Sequence, residues 1–165
     1  MIEIRKAVNS DAEQIIKVIK NAEESGYMLF DPCEREIASD SFAKFIDATN
    51  QNEKAGIFVA EENRVISGYM FVQNEKLNRI SHRAYIVVGI HSDSRGKGIG
   101  KALFVYMVDW AKEVSLHRLD LTVIAKNDIA IALYKKMGFE IEGIKRDFLL
   151  INGEYVDEYH MSKLV

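Results

Sequence analysis

Hydrophobic positions in the first half of the chain follow the two-residue period of a strand in some segments and the three-to-four-residue spacing of a helix in others. Period-two alternation over residues 2–8 predicts a strand, and polar capping residues then precede a helix. The apolar face of this helix consists of Ile15, Val18, Ile19 and Ala22. A second helix is predicted over 37–48. Two strands over 56–60 and 65–73, joined by a polar turn, form a predicted hairpin.

The second half of the chain repeats the alternation of strand and helix. Residues 84–90 form a continuous apolar run, which is typical of a strand buried on both faces. The next helix has one broad apolar stripe, formed by Ile99, Ala102, Leu103, Tyr106, Met107, Trp110, Ala111 and Val114. A strand over 119–124 and a short helix over 128–137 follow, and a final hairpin turns at 152–153. Helices placed between strands predict a mixed α/β sheet with an antiparallel end.

Composition indicates one ordered domain, which we assign to residues 1–165. Hydrophobic residues make up 48% and charged residues 28%, as in ordinary globular proteins. A chain of this size needs neither a disulfide nor a structural metal. The net charge of −3 argues against a nucleic-acid partner. No apolar run is long enough to span a membrane, and Cys33 has no disulfide partner, so we predict a cytoplasmic protein.

A glycine-rich loop, Arg-Gly-Lys-Gly-Ile-Gly, occupies residues 95–100 between the apolar strand and the long helix. Glycines at Gly96, Gly98 and Gly100 allow backbone N–H groups at the start of a helix to approach an anion. The helix dipole adds partial positive charge at the same point. Three cations border the loop, at Arg95, Lys97 and Lys101. The pattern therefore predicts a diphosphate-binding site.

Other phosphate-binding loops fit this segment less well. The dinucleotide pattern G-x-G-x-x-G requires a glycine where Lys101 stands. The nucleotide P-loop requires a glycine in place of Arg95 and a serine or threonine in place of Ala102. The simplest alternative is a tight turn without a ligand. Three glycines at alternate positions, flanked by cations, favour the anion site over that alternative.

Two segments resemble the GNAT superfamily of N-acetyltransferases, including its bacterial small-amine and peptide acetyltransferases. Arg95-x-x-Gly98-x-Gly100 is similar to the acyl-CoA signature R/Q-x-x-G-x-G/A, and residues 127–139 are similar to the motif N-x-x-A-x-x-L-Y-x-x-x-G-F. The resemblance implies a mostly antiparallel sheet of about seven strands and about four helices, with splayed central strands. It also implies direct transfer of an acetyl group from acetyl-CoA to a primary amine within a ternary complex.

The resemblance further implies which residues would hold acetyl-CoA. The expected cofactor-binding residues are Val88, Gly89, Ile90, Arg95, Gly96, Lys97, Gly98, Ile99, Gly100, Lys101, Asn127 and Tyr134. Backbone groups of Val88 and Ile90 would pair with the pantetheine arm as an added strand. Gly89 marks a bulge, a close approach or a simple kink. Asn127 would bond to the pantetheine, cap its own helix, or do both.

Tyr134 is the expected catalytic residue, because the resemblance places its hydroxyl beside the cofactor sulfur; outside the motif it would be an ordinary core aromatic. An amine with a pKa of about 10 must also lose a proton before attack, at a cost of about 4 kcal/mol at neutral pH. A base is therefore expected. The central strand contains no carboxylate. The remaining candidates, His82, Glu61, Glu62 and His91, equally fit solvated residues.

The acceptor is predicted from charge. Residues 23–40 contain six acidic residues and one basic residue, Arg35, and the resemblance places this segment beside the acceptor. We therefore expect a cationic amine, although a solvated helix face and its caps give the same pattern. Acidic neighbours disfavour Cys33 as an acyl carrier.

Two other functions remain open from the sequence. One is a non-catalytic module that binds acyl-CoA as a sensor. The absence of a carboxylate on the central strand favours this function, whereas the presence of Tyr134 argues against it. The other is an acetyltransferase for protein N-termini or lysines. Homodimers are common among members of the family, and nothing in the sequence requires one.

Overall fold

The computed structural model describes residues 1–165 and contains seven strands and four α-helices. The strands are β1 (Glu3–Lys6), β2 (Gly56–Glu62), β3 (Val65–Asn74), β4 (Arg83–Ile90), β5 (Arg118–Ile124), β6 (Glu140–Ile151) and β7 (Glu154–Leu164). The helices are α1 (Ala12–Glu23), α2 (Ser39–Asn50), α3 (Ile99–Glu113) and α4 (Asp128–Lys136). This confirms the predicted fold class. None of these helices combines the length and the apolar character that crossing a membrane requires.

All seven strands belong to one sheet with the order β1-β2-β3-β4-β5-β7-β6. Every neighbouring pair is antiparallel except β4 and β5. A core of 19 buried residues fills the face covered by α3 and α4, and a second core of 12 residues lies under α1 and α2. Burial of these two apolar layers against one sheet is the main stabilising contribution.

The central strands β4 and β5 pair only at their first residues. The parallel register links Arg83 with Arg118, Ala84 with Leu119 and Tyr85 with Asp120, and it continues no further. Beyond this point the two strands diverge, and a gap opens toward their carboxyl ends. The splayed arrangement that the family resemblance implied is therefore present.

One expectation for β4 was wrong. The apolar run at 84–90 predicted burial on both faces, but only one face is buried along most of the strand. Ala84 and Ile86 enter the core under α3, whereas Tyr85 and Val87 on the opposite face stay partly exposed. The reason is that α1 and α2 pack on β2, β3 and the near side of β4 and leave the sheet beyond them uncovered.

Candidate active site

The glycine loop adopts backbone conformations that favour glycine. Gly96 has φ +74° and Gly98, the N-cap of α3, has φ +81°, both in the left-handed region. No heavy atom lies within 4 Å of a Cβ built on either residue, so open space adjoins the loop. Gly100 differs, because its Cβ would lie 2.9 Å from the Leu133 side chain. Gly100 therefore serves the packing of α3 against α4, while the other two shape the loop.

The start of α3 offers several unpaired backbone donors. The first helical hydrogen bond runs from the N–H of Ala102 to the carbonyl oxygen of Gly98, at 3.0 Å. No side chain caps this end, so the N–H groups of residues 98–101 have no partner within the protein. The bordering cations are exposed and form no salt bridge; they are Arg95, Lys97 and Lys101. Donors and cations together fit a diphosphate.

The β4 edge along the gap presents unpaired main-chain groups. At the closed end, the carbonyl oxygen of His82 accepts the N–H groups of His117 and Arg118, at 2.7 and 3.1 Å, and therefore points toward β5. Alternation along a strand directs the backbone groups of Val88 and Ile90 the same way. Pairing with β5 has stopped before these residues, so they face the gap. An extended ligand chain is what such an edge can bind.

Gly89 permits a close approach by a side chain of the protein itself. It pairs with Tyr69 of β3 without a register shift, which excludes a bulge. A Cβ on Gly89 would lie 2.4–2.6 Å from the ring and hydroxyl of Tyr69. The tyrosine ring thus crosses over the backbone of β4 toward the gap. Of the three alternatives for this glycine, the structure supports a close approach.

The two motif residues of α4 lie at its N-terminal cap and on its buried face. Asn127 is the N-cap of α4, and its Oδ1 accepts the N–H of Ala130 at 3.3 Å. Tyr134 packs edge-on against Phe104, with 5.5 Å between ring centroids. Burial raises the pKa of Tyr134 to about 12, and Tyr85 adds to that effect. The Tyr134 side chain is therefore a proton donor at neutral pH.

The sheet face opposite α3 and α4 carries a polar network that the sequence did not predict. The Asp120 carboxylate, fully buried, accepts bonds from Arg83 (3.1 Å), Arg118 (2.7 Å) and His160 (3.0 Å). Burial alone would raise the pKa of Asp120, but these partners hold it below the ordinary value. The network ties β4, β5 and β7 together where the gap closes. Its signal was the alternation of polar residues along β5 and β7.

Two hydroxyls bridge the strands just inside this network. The Tyr85 hydroxyl and Thr122 Oγ1 lie 2.6 Å apart. Burial raises the pKa of Tyr85; the hydrogen bond with Thr122 opposes this effect, and the nearby Glu158 carboxylate reinforces it. Tyr85 therefore remains protonated and polar at the closed end of the gap, on the face not covered by α3.

Three of the four candidate bases are engaged in other contacts, and the fourth lies at the closed end of the gap. Glu61 binds Arg5, with 3.0 Å from the Arg5 Nε, and Glu62 pairs with the N-terminal amine at 3.1 Å. The His91 ring accepts the N–H of Asp93. His82 stands immediately before β4, at the closed end. None of these contacts directs a base into the open part of the gap.

The acidic segment 23–40 is mainly a solvated surface. Five of its acidic side chains are exposed or nearly so, and Cys33 is exposed as well. Glu23 is the exception: it is buried and forms a 2.8 Å ion pair with Arg35, which stacks on Phe30 at 3.9 Å. The segment thus contributes one neutralised pair, rather than a row of carboxylates, to the interior.

Comparison with known proteins agrees with this geometry. The sequence profile of the "Acetyltransferase (GNAT) domain" family matches residues 4–160. An L-amino acid N-acetyltransferase, AaaT of Escherichia coli K12, is 35% identical over 100 residues, which cover 60% of this chain and 62% of that protein. The spermidine N(1)-acetyltransferase of the same strain is 28% identical over 162 residues, covering 97% of this chain and 84% of the relative.

Solved structures share the fold. An acetyltransferase of the GNAT family from Streptococcus pneumoniae superposes with a TM-score of 0.94 at 24% identity, covering 100% of this chain and 99% of that one. The structure of yncA from Salmonella typhimurium with its cofactor acetyl-CoA gives a TM-score of 0.89 at 21% identity, covering 99% and 94%. The profile match, the splayed strands and the glycine loop lead to one conclusion: this chain belongs to the GNAT superfamily and is an acetyl-CoA-dependent N-acetyltransferase.

Proposed function

We propose that the protein transfers an acetyl group from acetyl-CoA to a primary amine on a small cationic molecule, by direct attack within a ternary complex. The observation that carries the proposal is a pair of stretches of unpaired backbone groups. One consists of the N–H groups of residues 98–101, and the other is the open edge of β4 at Val88 and Ile90. A diphosphate fits the first stretch, and the extended amide arm attached to it fits the second.

The residues would divide the work as follows. The thioester of acetyl-CoA supplies the activated acetyl group. The Val88 N–H faces the gap and would donate to the carbonyl oxygen of that group, where negative charge develops during attack. Tyr134, with its raised pKa, would donate a proton or a hydrogen bond to the departing sulfur. Asn127, already fixed by its bond to Ala130, would contact the arm with its free amide.

The acceptor is proposed from two lines of support. The relatives named above act on L-amino acids and on spermidine, and both substrates carry an ammonium group. The surface around segment 23–40 is acidic. A protein N-terminus or lysine is the alternative acceptor. Cytoplasmic action, without nucleic acid, membrane or metal, is part of the same proposal, and the exposed thiol of Cys33 and the net charge of −3 support it.

Thiol release from acetyl-CoA tests the function across spermidine, L-amino acids and a peptide with a free N-terminus. We expect turnover that is fastest on a small cationic amine. Tyr134→Phe should lower kcat about 10-fold or more while the Kd for CoA, measured by calorimetry, stays within about twofold. Tyr106→Phe, at an exposed position of α3, is the matched control. CoA binding without turnover on any acceptor would instead favour the sensor.

A further inference from the structure

One buried carboxylate in the protein lacks hydrogen-bond donors. Glu158 on β7 is 8% exposed and accepts no hydrogen bond from the protein. Its only charged contact is Lys145 of β6, at 3.6 Å between Nζ and Oε1. The other buried carboxylates, Asp11, Glu23 and Asp120, each receive hydrogen bonds from arginine. The Glu158 oxygens keep some contact with solvent, because the fully buried side-chain atom without a partner is Asn50 Oδ1 and not an oxygen of Glu158. Glu158 can therefore accept a hydrogen bond from an N–H group that enters the gap.

The position of Glu158 is set by the sheet register. It pairs with Ile124 of β5, and His160, two residues later, pairs with Thr122. Because paired residues share a face, Glu158 lies on the same face as Thr122 and as Tyr85, whose hydroxyl touches Thr122. This is the face opposite α3. Helices α1 and α2 pack on β2, β3 and β4 and do not cover this part of β5 and β7.

The neighbouring groups cannot take a proton from an ammonium. Tyr85 and Tyr134 both have a raised pKa and are already protonated at neutral pH. Glu23 is neutralised by Arg35 at 2.8 Å. Glu158 has only the longer contact with Lys145, whose side chain is 42% exposed and also lies over the Phe148 ring. An incoming ammonium can replace the Lys145 ammonium without leaving the carboxylate unpaired.

We propose that Glu158 is the catalytic base of the transfer, binding the acceptor ammonium across the mouth of the gap; this rests on the proposed function. One ammonium proton passes to a carboxylate oxygen of Glu158, giving a neutral amine. The nitrogen lone pair forms a bond to the acetyl carbon, and the C–S bond breaks with its electron pair on sulfur. The second nitrogen proton passes to water as the amide forms. Tyr134 gives its hydroxyl proton to the sulfur, so that CoA leaves as the thiol, and takes up one proton from water in return. Glu158 then returns its proton to water.

The test compares Glu158→Gln with Glu154→Gln, a matched change at a 74% exposed side chain on the same strand. For Glu158→Gln we expect a kcat at least 100-fold lower, an unchanged Kd for CoA and loss of the acid limb of the kcat/KM pH profile. Glu158→Asp should keep that limb at reduced kcat. Glu154→Gln should behave as wild type.

Lys145→Gln provides a second readout, which a purely structural role would not produce. The titratable side chains on the same face as Glu158 are Lys145 from β6, His160 from its own strand and Tyr85 from β4. Removing the Lys145 cation, which competes with the acceptor ammonium for Glu158, should lower the KM for the cationic amine while turnover persists.

Three results would overturn the assignment. The first is a Glu158→Gln variant that keeps the full kcat of the wild-type enzyme. This result would exclude Glu158 as the base but would leave the proposed acetyl transfer intact. The second is Glu158→Gln that loses CoA affinity in parallel with activity, or unfolds together with Glu158→Asp, which marks a structural role. The third is a wild-type protein without transfer to any amine, which removes the proposed function along with Glu158.

Discussion

Substituting alanine for Gly98 separates the backbone requirement of the loop from its role in binding. Gly98 has φ +81° and Gly153, in the β6–β7 turn, has φ +80°. Neither position has a heavy atom within 4 Å of a built Cβ. An L residue in this conformation costs about 1–2 kcal/mol. We therefore expect Gly98→Ala and Gly153→Ala to lower the free energy of unfolding by similar amounts.

The two variants should differ in their affinity for CoA. A side chain at Gly98 occupies the open space beside the unpaired N–H groups, and relaxation of its φ angle turns at least one of them away. A hydrogen bond to a charged group contributes about 1.5–3 kcal/mol. Losing one such bond raises the Kd about 10- to 150-fold. Gly153 lies in a turn outside the loop, so Gly153→Ala should leave the Kd unchanged.

Calorimetric titration of CoA into both variants at 25 °C measures the difference, and thermal unfolding without ligand provides the stability comparison. The reasoning would be refuted if Gly98→Ala bound CoA as tightly as wild type. It would also be refuted if both variants lost affinity equally, because general destabilisation would then explain the effect.

Two further predictions concern the sheet around the gap. Asp120→Asn should lower the free energy of unfolding at pH 7 by about 2–3 kcal/mol, less than for a fully buried pair because Arg83 and Arg118 are about one third exposed. The native pKa of Asp120 is lowered, so this stability is present above a pH of about 4 and is lost as the pH falls further. Urea unfolding should show the two proteins converging in acid, and a constant difference would contradict the assignment. Gly89→Ala should destabilise the fold by about 1–3 kcal/mol, because Tyr69 is buried and its ring lies within 2.6 Å of the new Cβ. The control is Gly143→Ala, whose new Cβ has no heavy atom within 4 Å. Equal melting temperatures for the two variants would exclude the clash with Tyr69.

Local features were predictable because their signals lie within one segment. The helices and strands follow hydrophobic periodicity, and their observed ends differ from the predicted ones by a few residues, where fraying and turns decide. The hairpin at 152–153 forms as its Asn-Gly sequence predicts, with both residues at positive φ. The loop at 95–100 likewise needed no knowledge of distant residues, because its glycines and cations are consecutive.

Features that depend on strand register were not predictable in this way. Whether both faces of β4 are buried depends on how far α1 and α2 extend over the sheet. The crossing of Tyr69 over Gly89 depends on the pairing of β3 with β4. The contact of Tyr85 with Thr122 requires the three-residue register between β4 and β5. A single sequence contains the residues of these pairs but not their alignment.

The proposed base lies off the central strand for a topological reason. The last strand in the sequence, β7, does not extend the sheet at its edge but inserts between β5 and β6. It therefore lies one strand away from the gap, and Glu158 pairs with Ile124 at the end of β5 that borders this opening. In the proposed function, the loop before α3 binds the cofactor, whereas β7 and segment 23–40 meet the acceptor. Because these segments are separate in the sequence, substitutions in β7 can alter the choice of amine without disturbing the glycine loop, which is what retention of CoA affinity in Glu158→Gln would show.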